Sequence, residues 1–250
     1  MCPGAPFLIP GTADTIADRL TVVVSACATA IAELPDADRL VLLSASSQQP
    51  RAQSPGRFME PGTVISSTAL RRSDLPDNRL VTLPAGAVGR ERAAGPGRPV
   101  SYSVGTVVGA NLLTDRPAPF PPTIGIEIAG DPAAVAALLE EELSRAGRVC
   151  LLVIADGSAC HGDDAPGRRD DRAESFDADL AAALGAGDPV ALAAAAGRRE
   201  LAGELLATVD PLAVLAALTV GDPPSSAALL YSDAPFGVGY LVASWRWNRT

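Results

Sequence analysis

The 250-residue chain has no lysine, one histidine and few aromatic side chains. Each scarcity excludes something. Without lysine there is no Gly-Lys-Ser/Thr phosphate loop. With His161 as the sole histidine, no site built from two histidine ligands and no mechanism with a separate histidine base can be assembled. Phe, Trp and Tyr make up 4% of the residues, so Ala, Val, Leu and Ile must fill the core. No apolar run reaches the length that spans a bilayer, and the first basic residue is Arg19, so neither a membrane helix nor a secretory leader is expected. Cys2, Cys27, Cys150 and Cys160 have no CxxC spacing, and two lie in apolar segments; they are read as reduced thiols of a cytoplasmic protein. All twenty basic residues are arginine against twenty-nine acidic ones, and the net charge of −9 argues against nucleic acid or an anionic membrane as partner.

What is present is 48% hydrophobic and 20% charged, the balance of a globular chain. Thr12 is placed to cap a helix over 13–34, with Ile16, Leu20, Val24, Cys27, Ile31 and Leu34 along one face. Residues 39–45 and 149–155 are continuous apolar strands of the kind covered on both faces. Residues 48–62 and 85–99 read as loops, with 63–66 and 80–83 as short strands. Residues 103–113 fit a strand or a helix, and Ile124, Ile126 and Ile128 alternate as in a half-buried strand. Three Asp-Pro pairs, at 131, 188 and 210, predict capped helices near 132–146, 189–196 and 211–218. A further helix is expected over 170–184 with Phe176, Leu180 and Leu184 aligned, and a closing strand pair over 227–232 and 238–245. Alternating strands and helices predict one α/β domain over 1–250, with a central mixed, largely parallel sheet flanked by helices.

Ligand crevices in such sheets lie beyond the carboxyl ends of the strands. Two exits are polar: Ser44, Ser46, Ser47, Gln48 and Gln49 after the first buried strand, and Asp156, Gly157, Ser158, Cys160 and His161 after the later one, with the turn 231–233 as a third contributor. Asp156, Ser158 and His161 are the candidate catalytic residues. A triad of Ser158, His161 and an aspartate is set against their crowding in sequence. A metal site from His161, Cys160, Asp156, Asp163 or Asp164 is set against a solvated charge run over 163–174. Gly237-Val238-Gly239 lacks the third glycine of a dinucleotide fingerprint.

The opening Cys2-Pro3-Gly4-Ala5-Pro6-Phe7-Leu8-Ile9-Pro10 resembles that of the class III extradiol ring-cleavage dioxygenase family, the LigB-like proteins with their Memo-type relatives. So do Ile154-Ala155-Asp156-Gly157-Ser158-Ala159, then Ala165-Pro166-Gly167 and Phe176-Asp177, and the closing Leu230-Tyr231-Ser232-Asp233-Ala234-Pro235-Phe236-Gly237-Val238-Gly239-Tyr240, which are similar to a small actinobacterial branch of that family. The resemblance implies a LigB-like fold and, in active members, Fe(II) held by two histidines and a glutamate, with a further histidine as acid/base. Here the two histidine-ligand positions fall at Gly4 and at Gln48 or a neighbouring serine, the acid/base position at Ala159, and the carboxylate at Glu204 or Glu200. One histidine cannot fill three roles. The resemblance therefore implies a member without the ferrous site, acting as a binding or companion subunit, homo-oligomeric or paired, with a small molecule as ligand. The alternatives are an enzyme of altered chemistry, with Cys2, Cys160, His161 and Glu204 as substitute ligands suited to zinc, and an ordinary ring-opening dioxygenase.

Overall fold

The computed structural model describes residues 1–8, 17–46, 79–82, 103–114, 121, 123–128, 130–145 and 147–248. The expectations at Thr12, Ile16, 48–62, 63–66 and 85–99 fall outside them.

Three parallel strands carry the domain: β1 (Arg39–Ala45) lies between β3 (Thr123–Ile128) and β4 (Val149–Ile154), and β2 (Arg79–Thr82) adds antiparallel to β3. The apolar run of β1 has the reason expected of it. Leu40 and Leu42 enter one core cluster, Val41 and Leu43 the other, and all four are buried. On the first face pack α1 (Ala17–Ala32) and α2 (Val104–Thr114); on the second lie α3 (Pro132–Arg145), α4 (Ala173–Ala186), α5 (Pro189–Ala196), α6 (Arg199–Glu204) and α7 (Asp210–Thr219). The chain closes with an antiparallel hairpin, β5 (Ser226–Asp233) and β6 (Tyr240–Arg246).

Two residues join hairpin and sheet. The Cys2 N–H donates to Val153 O (2.9 Å) and Cys2 O accepts from the Ala155 N–H (3.2 Å), while Met1 exchanges both of its backbone bonds with Ala243 (2.7 and 3.2 Å). Met1 and Cys2 thus fill a strand position between β4 and β6, satisfying two edges that would otherwise lie open. The same pairing delivers Gly4 to the carboxyl end of β4.

Several sequence expectations need correction. The apolar stripe of α1 runs through Val23, not Val24: Val23 is buried and Val24 is 44% exposed. A helix surface can bury only one of the three consecutive valines 22–24 on a narrow stripe. Residues 103–113 resolve as helix because Ser103 caps it, its Oγ accepting from the Thr106 N–H at 3.2 Å, and the Glu127 carboxylate accepts from the Ser103 N–H (2.5 Å) and the Thr106 hydroxyl (2.9 Å). That use of Glu127 also explains why β3 is buried on both faces rather than half-buried. Gly105 and Gly109 let α2 lie directly on the strands; a Cβ on Gly105 would stand 3.1 Å from Ser44 and 3.3 Å from Ile154. Asp131 and Asp188 cap α3 and α5 as predicted, through bonds of 3.1, 2.9 and 3.0 Å. Asp210 does not cap α7: it is the first helical residue, and its carboxylate pairs with Arg199 (3.1 Å). Helix α4 starts at Ala173 rather than 170, because Asp170 is spent on the preceding turn, accepting from the Arg172 N–H (2.9 Å). Its stripe is as expected: Phe176, Leu180 and Leu184 are all fully buried. Among the described residues no helix is long and apolar enough to cross a membrane.

Phe176 is the one aromatic among the largest fully buried side chains. Phe176→Ala is expected to destabilise the fold by about 3–5 kcal/mol and Phe176→Leu by about 1 kcal/mol in urea unfolding, because only the first leaves a large void.

Candidate functional site

Beyond Ile154 the chain leaves the sheet as an irregular segment held along both sides. The Asp156 N–H donates to the Thr208 hydroxyl (2.7 Å), and Asp156 O accepts from the Thr208 N–H (3.0 Å). On the other side the Gly157 N–H donates to Gly239 O (2.8 Å), the Gly239 N–H to Ser158 O (2.7 Å) and the His161 N–H to Gly237 O (3.1 Å). The entry to β6 thus continues the pairing past the end of β4. It brings residues 156–161, the turn 235–239 and Gly4 together at the carboxyl edge of the sheet.

A buried carboxylate closes this assembly from the α4 side. Asp177 Oδ1 accepts from the Ser158 N–H (2.8 Å), and Oδ2 lies 2.6 Å from His161 Nε2. Only glycines fit around it: a Cβ on Gly157 would stand 2.5 Å from Oδ1, and one on Gly239 would overlap Oδ2 outright. Burial raises the Asp177 pKa, and the Ser158 N–H and His161 pull it back. A buried aspartate on one imidazole nitrogen fixes the tautomer and leaves Nδ1 as the nitrogen that can exchange a proton with a ligand.

Asp156 occupies the other face, following the alternation from Ile154. Its Oδ1 accepts from the Gly4 N–H (2.8 Å). Burial, opposed by that bond and aided by the Asp177 charge, pushes its carboxyl up to about 6. Beside it stands Tyr240, whose phenol is pushed up to about 12 by burial first and then by Asp156 and Tyr231. The ring of Phe7 meets Tyr240 edge-on at 5.2 Å. Two non-glycine residues near the site adopt left-handed backbone, Phe236 (φ 63°) in the turn before β6 and Leu206 (φ 56°) after α6, at a cost of about 1–2 kcal/mol each. The second turn presents Leu205 O to three donors: the Ala159 N–H (2.9 Å), the Ser158 hydroxyl (3.3 Å) and the Cys160 thiol (3.6 Å).

Of the residues proposed from sequence, Asp156 and His161 both lie at this exit without contacting each other, and Ser158 is not a nucleophile partner of His161: it is fully buried, with its hydroxyl on Leu205 O. The imidazole is taken by Asp177 instead. The substitute metal set does not assemble. Cys2 and Cys160 are buried in different core clusters on opposite faces of the sheet. The Cys27 thiol hydrogen-bonds Cys2, which lowers the Cys2 thiol pKa and raises its own. Glu204 is half exposed and paired with Arg172 at 2.8 Å, turned to solvent. Among the described residues no group of three or more His, Cys, Asp or Glu is placed to hold a metal ion. Ser46 is buried at the end of β1, with its N–H on Ile128 O (2.8 Å), and Gln48 lies outside the described residues. The charged run beyond His161 lies at the surface, with Arg172–Asp170 at 2.6 Å and Arg169–Asp171 at 3.5 Å.

Sequence reasoning alone misses the role of Asp177. Its signal is present: it sits between Ala173, Phe176, Leu180 and Ala181 on the buried stripe of α4, where a carboxylate is out of place unless partnered. Gly237-Val238-Gly239, which fails as a dinucleotide motif, is the glycine pair that makes room for Asp177 and the turn. No model of a known protein family matches the chain, and no curated protein matches it.

Asp156 works against the fold at neutral pH. Its carboxyl is raised from 3.8 to about 6, so the folded state carries a burial penalty that the unfolded chain does not. Stability linked to this group is fully present below 3.8 and lost as pH rises through about 6. Asp156→Asn is therefore expected to be more stable than the parent at pH 8, by about 2 kcal/mol, with the difference vanishing below pH 4. Paired urea melts across pH check this; a less stable variant at pH 8 contradicts it.

Proposed function

We propose that this is a LigB-like protein of the small actinobacterial branch that has no ferrous ring-cleavage site and uses the strand-exit crevice to bind a small organic ligand. One observation carries the reading. At the position where the resemblance implies the first histidine ligand, Gly4 lies against Asp156 and Ile154, and a Cβ there would stand 2.9 and 3.3 Å from them. The crevice is where a LigB-like site belongs, but the donors are not. Glu204, the implied carboxylate ligand, is engaged by Arg172 at the surface. Among the described residues the donors at these positions do not fit Fe(II). The four buried thiols suit a reducing, cytoplasmic setting, and a companion subunit or second copy is the partner in keeping with the family.

A second reading is favoured by the His161–Asp177 pair at 2.6 Å: metal-free acid–base chemistry, with His161 moving the proton and Asp177 holding the ring. The two readings part at one residue, since His161→Ala abolishes turnover in the second and leaves ligand binding in the first.

Elemental analysis of anaerobically purified protein, with and without added Fe(II) and Zn(II), tests the proposal. Substoichiometric metal in every arm is expected, with no oxygen uptake on a catechol. Stoichiometric iron with catechol-dependent oxygen uptake overturns it.

A further inference from the structure

The chain holds five Phe, three Tyr and two Trp. Four of these scarce rings, Phe7, Tyr231, Phe236 and Tyr240, belong to or pack on the core cluster that contains Ile154, and Tyr240 stands near Phe7, Tyr231 and Asp156. Tyr231 and Asp233 point to one face of β5, and Tyr240, opposite Asp233, shares that face. Phe7, Tyr231 and Phe236 are only part buried, and Phe236 is held there in left-handed backbone. A core built from aliphatic residues has no need of this concentration at its rim.

Among the described residues Asp156, Asp177 and Asp233 bring acidic groups to this exit. Asp156 Oδ1 is used by Gly4, and Oδ2 has no hydrogen-bond donor among the described residues. A side chain at Gly4 would crowd Oδ2, since a Cβ would stand 2.9 Å from it. Asp177 lies behind and Asp233 at the rim. Among the described residues the one basic side chain paired with any of these carboxylates is His161, on Asp177, while Arg172, Arg198, Arg199 and Arg246 are paired elsewhere, so that an anionic ligand would meet negative charge that no described cation balances at Asp156. A carboxylate beside aromatic rings suits a positively charged organic group, which the ring faces attract through their quadrupoles.

Resting on the reading of this crevice as a ligand site, we infer that it takes a small organic ammonium ion, seated between Asp156 and the rings of Phe7, Tyr231 and Tyr240. The ammonium compensates the half-buried carboxylate, and the rings cover its alkyl groups.

The test uses the full chain and matched probes, choline against 3,3-dimethylbutan-1-ol and benzylamine against benzyl alcohol, followed by calorimetry and by the tyrosine resonances. The ammonium of at least one pair is expected to bind roughly ten-fold or more tightly than its neutral counterpart. Asp156→Asn, Gly4→Ala and Phe7→Leu should each weaken that binding, and Asp156→Asn should erase the preference for charge. Equal binding within both pairs, an Asp156→Asn variant that keeps the preference, or no ammonium binding at all overturns the inference. Neutral probes that shift the tyrosine resonances equally well would reject the charge class while sparing the crevice as a ligand site. Silence from all four probes would count against both.

Discussion

The carboxylate of Asp177 is the constraint on which the strand-exit end of this molecule depends. It is buried on α4, yet it reaches two partners beyond the end of the sheet, the Ser158 N–H and His161 Nε2. A buried carboxylate without such partners would be strongly destabilising, so helix, strand exit and histidine are ordered together or not at all. The same group dictates the glycines opposite it. Gly157 and Gly239 leave the space it occupies, and the bonds from the Gly157 N–H to Gly239 O and from the Gly239 N–H to Ser158 O continue the sheet past the point where β4 ends.

Around that anchor, the N-terminal residues do more than close the core. Met1 and Cys2 fill the strand position between β4 and β6, and the chain then turns so that Gly4 meets Asp156. The two carboxylates stand on opposite faces of one sheet edge with different company. Asp177 has a histidine and a backbone donor; Asp156 has one backbone donor and the Tyr240 phenol nearby. Burial raises both pKa values, and Asp156 is raised further by Asp177. The carboxyl of Asp156, which opposes folding at neutral pH, thus lies in the same region as two residues in left-handed backbone, Phe236 and Leu206.

The parts of the fold legible in the sequence were those set by local chemistry. Continuous apolar runs marked β1 and β4, and Asp188-Pro189 marked α5 to the residue, because an extended strand covered on both faces and an N-cap each leave a short-range signature. The same Asp-Pro pattern misled at Asp210, whose carboxylate is claimed by Arg199. Alternation misled at β3, where Glu127 faces α2 and not water. The site was half legible. Asp156 and His161 stood out as polar residues after a buried strand, but their partners are distant in sequence. Gly4 lies 152 residues from Asp156 and Thr208 lies 52 away, separations that no periodicity reports. Asp177, 16 residues from His161, was visible only as a charge on a buried stripe.

Because the chain has a single histidine, its imidazole can be observed without assignment ambiguity. ¹⁵N spectra of the neutral ring therefore test the central claim most directly. The account predicts that the ring proton resides on Nε2, held by Asp177 and slow to exchange with water, and that Asp177→Asn releases this preference. A ring protonated mainly on Nδ1, or one that interconverts freely in the parent protein, would contradict it.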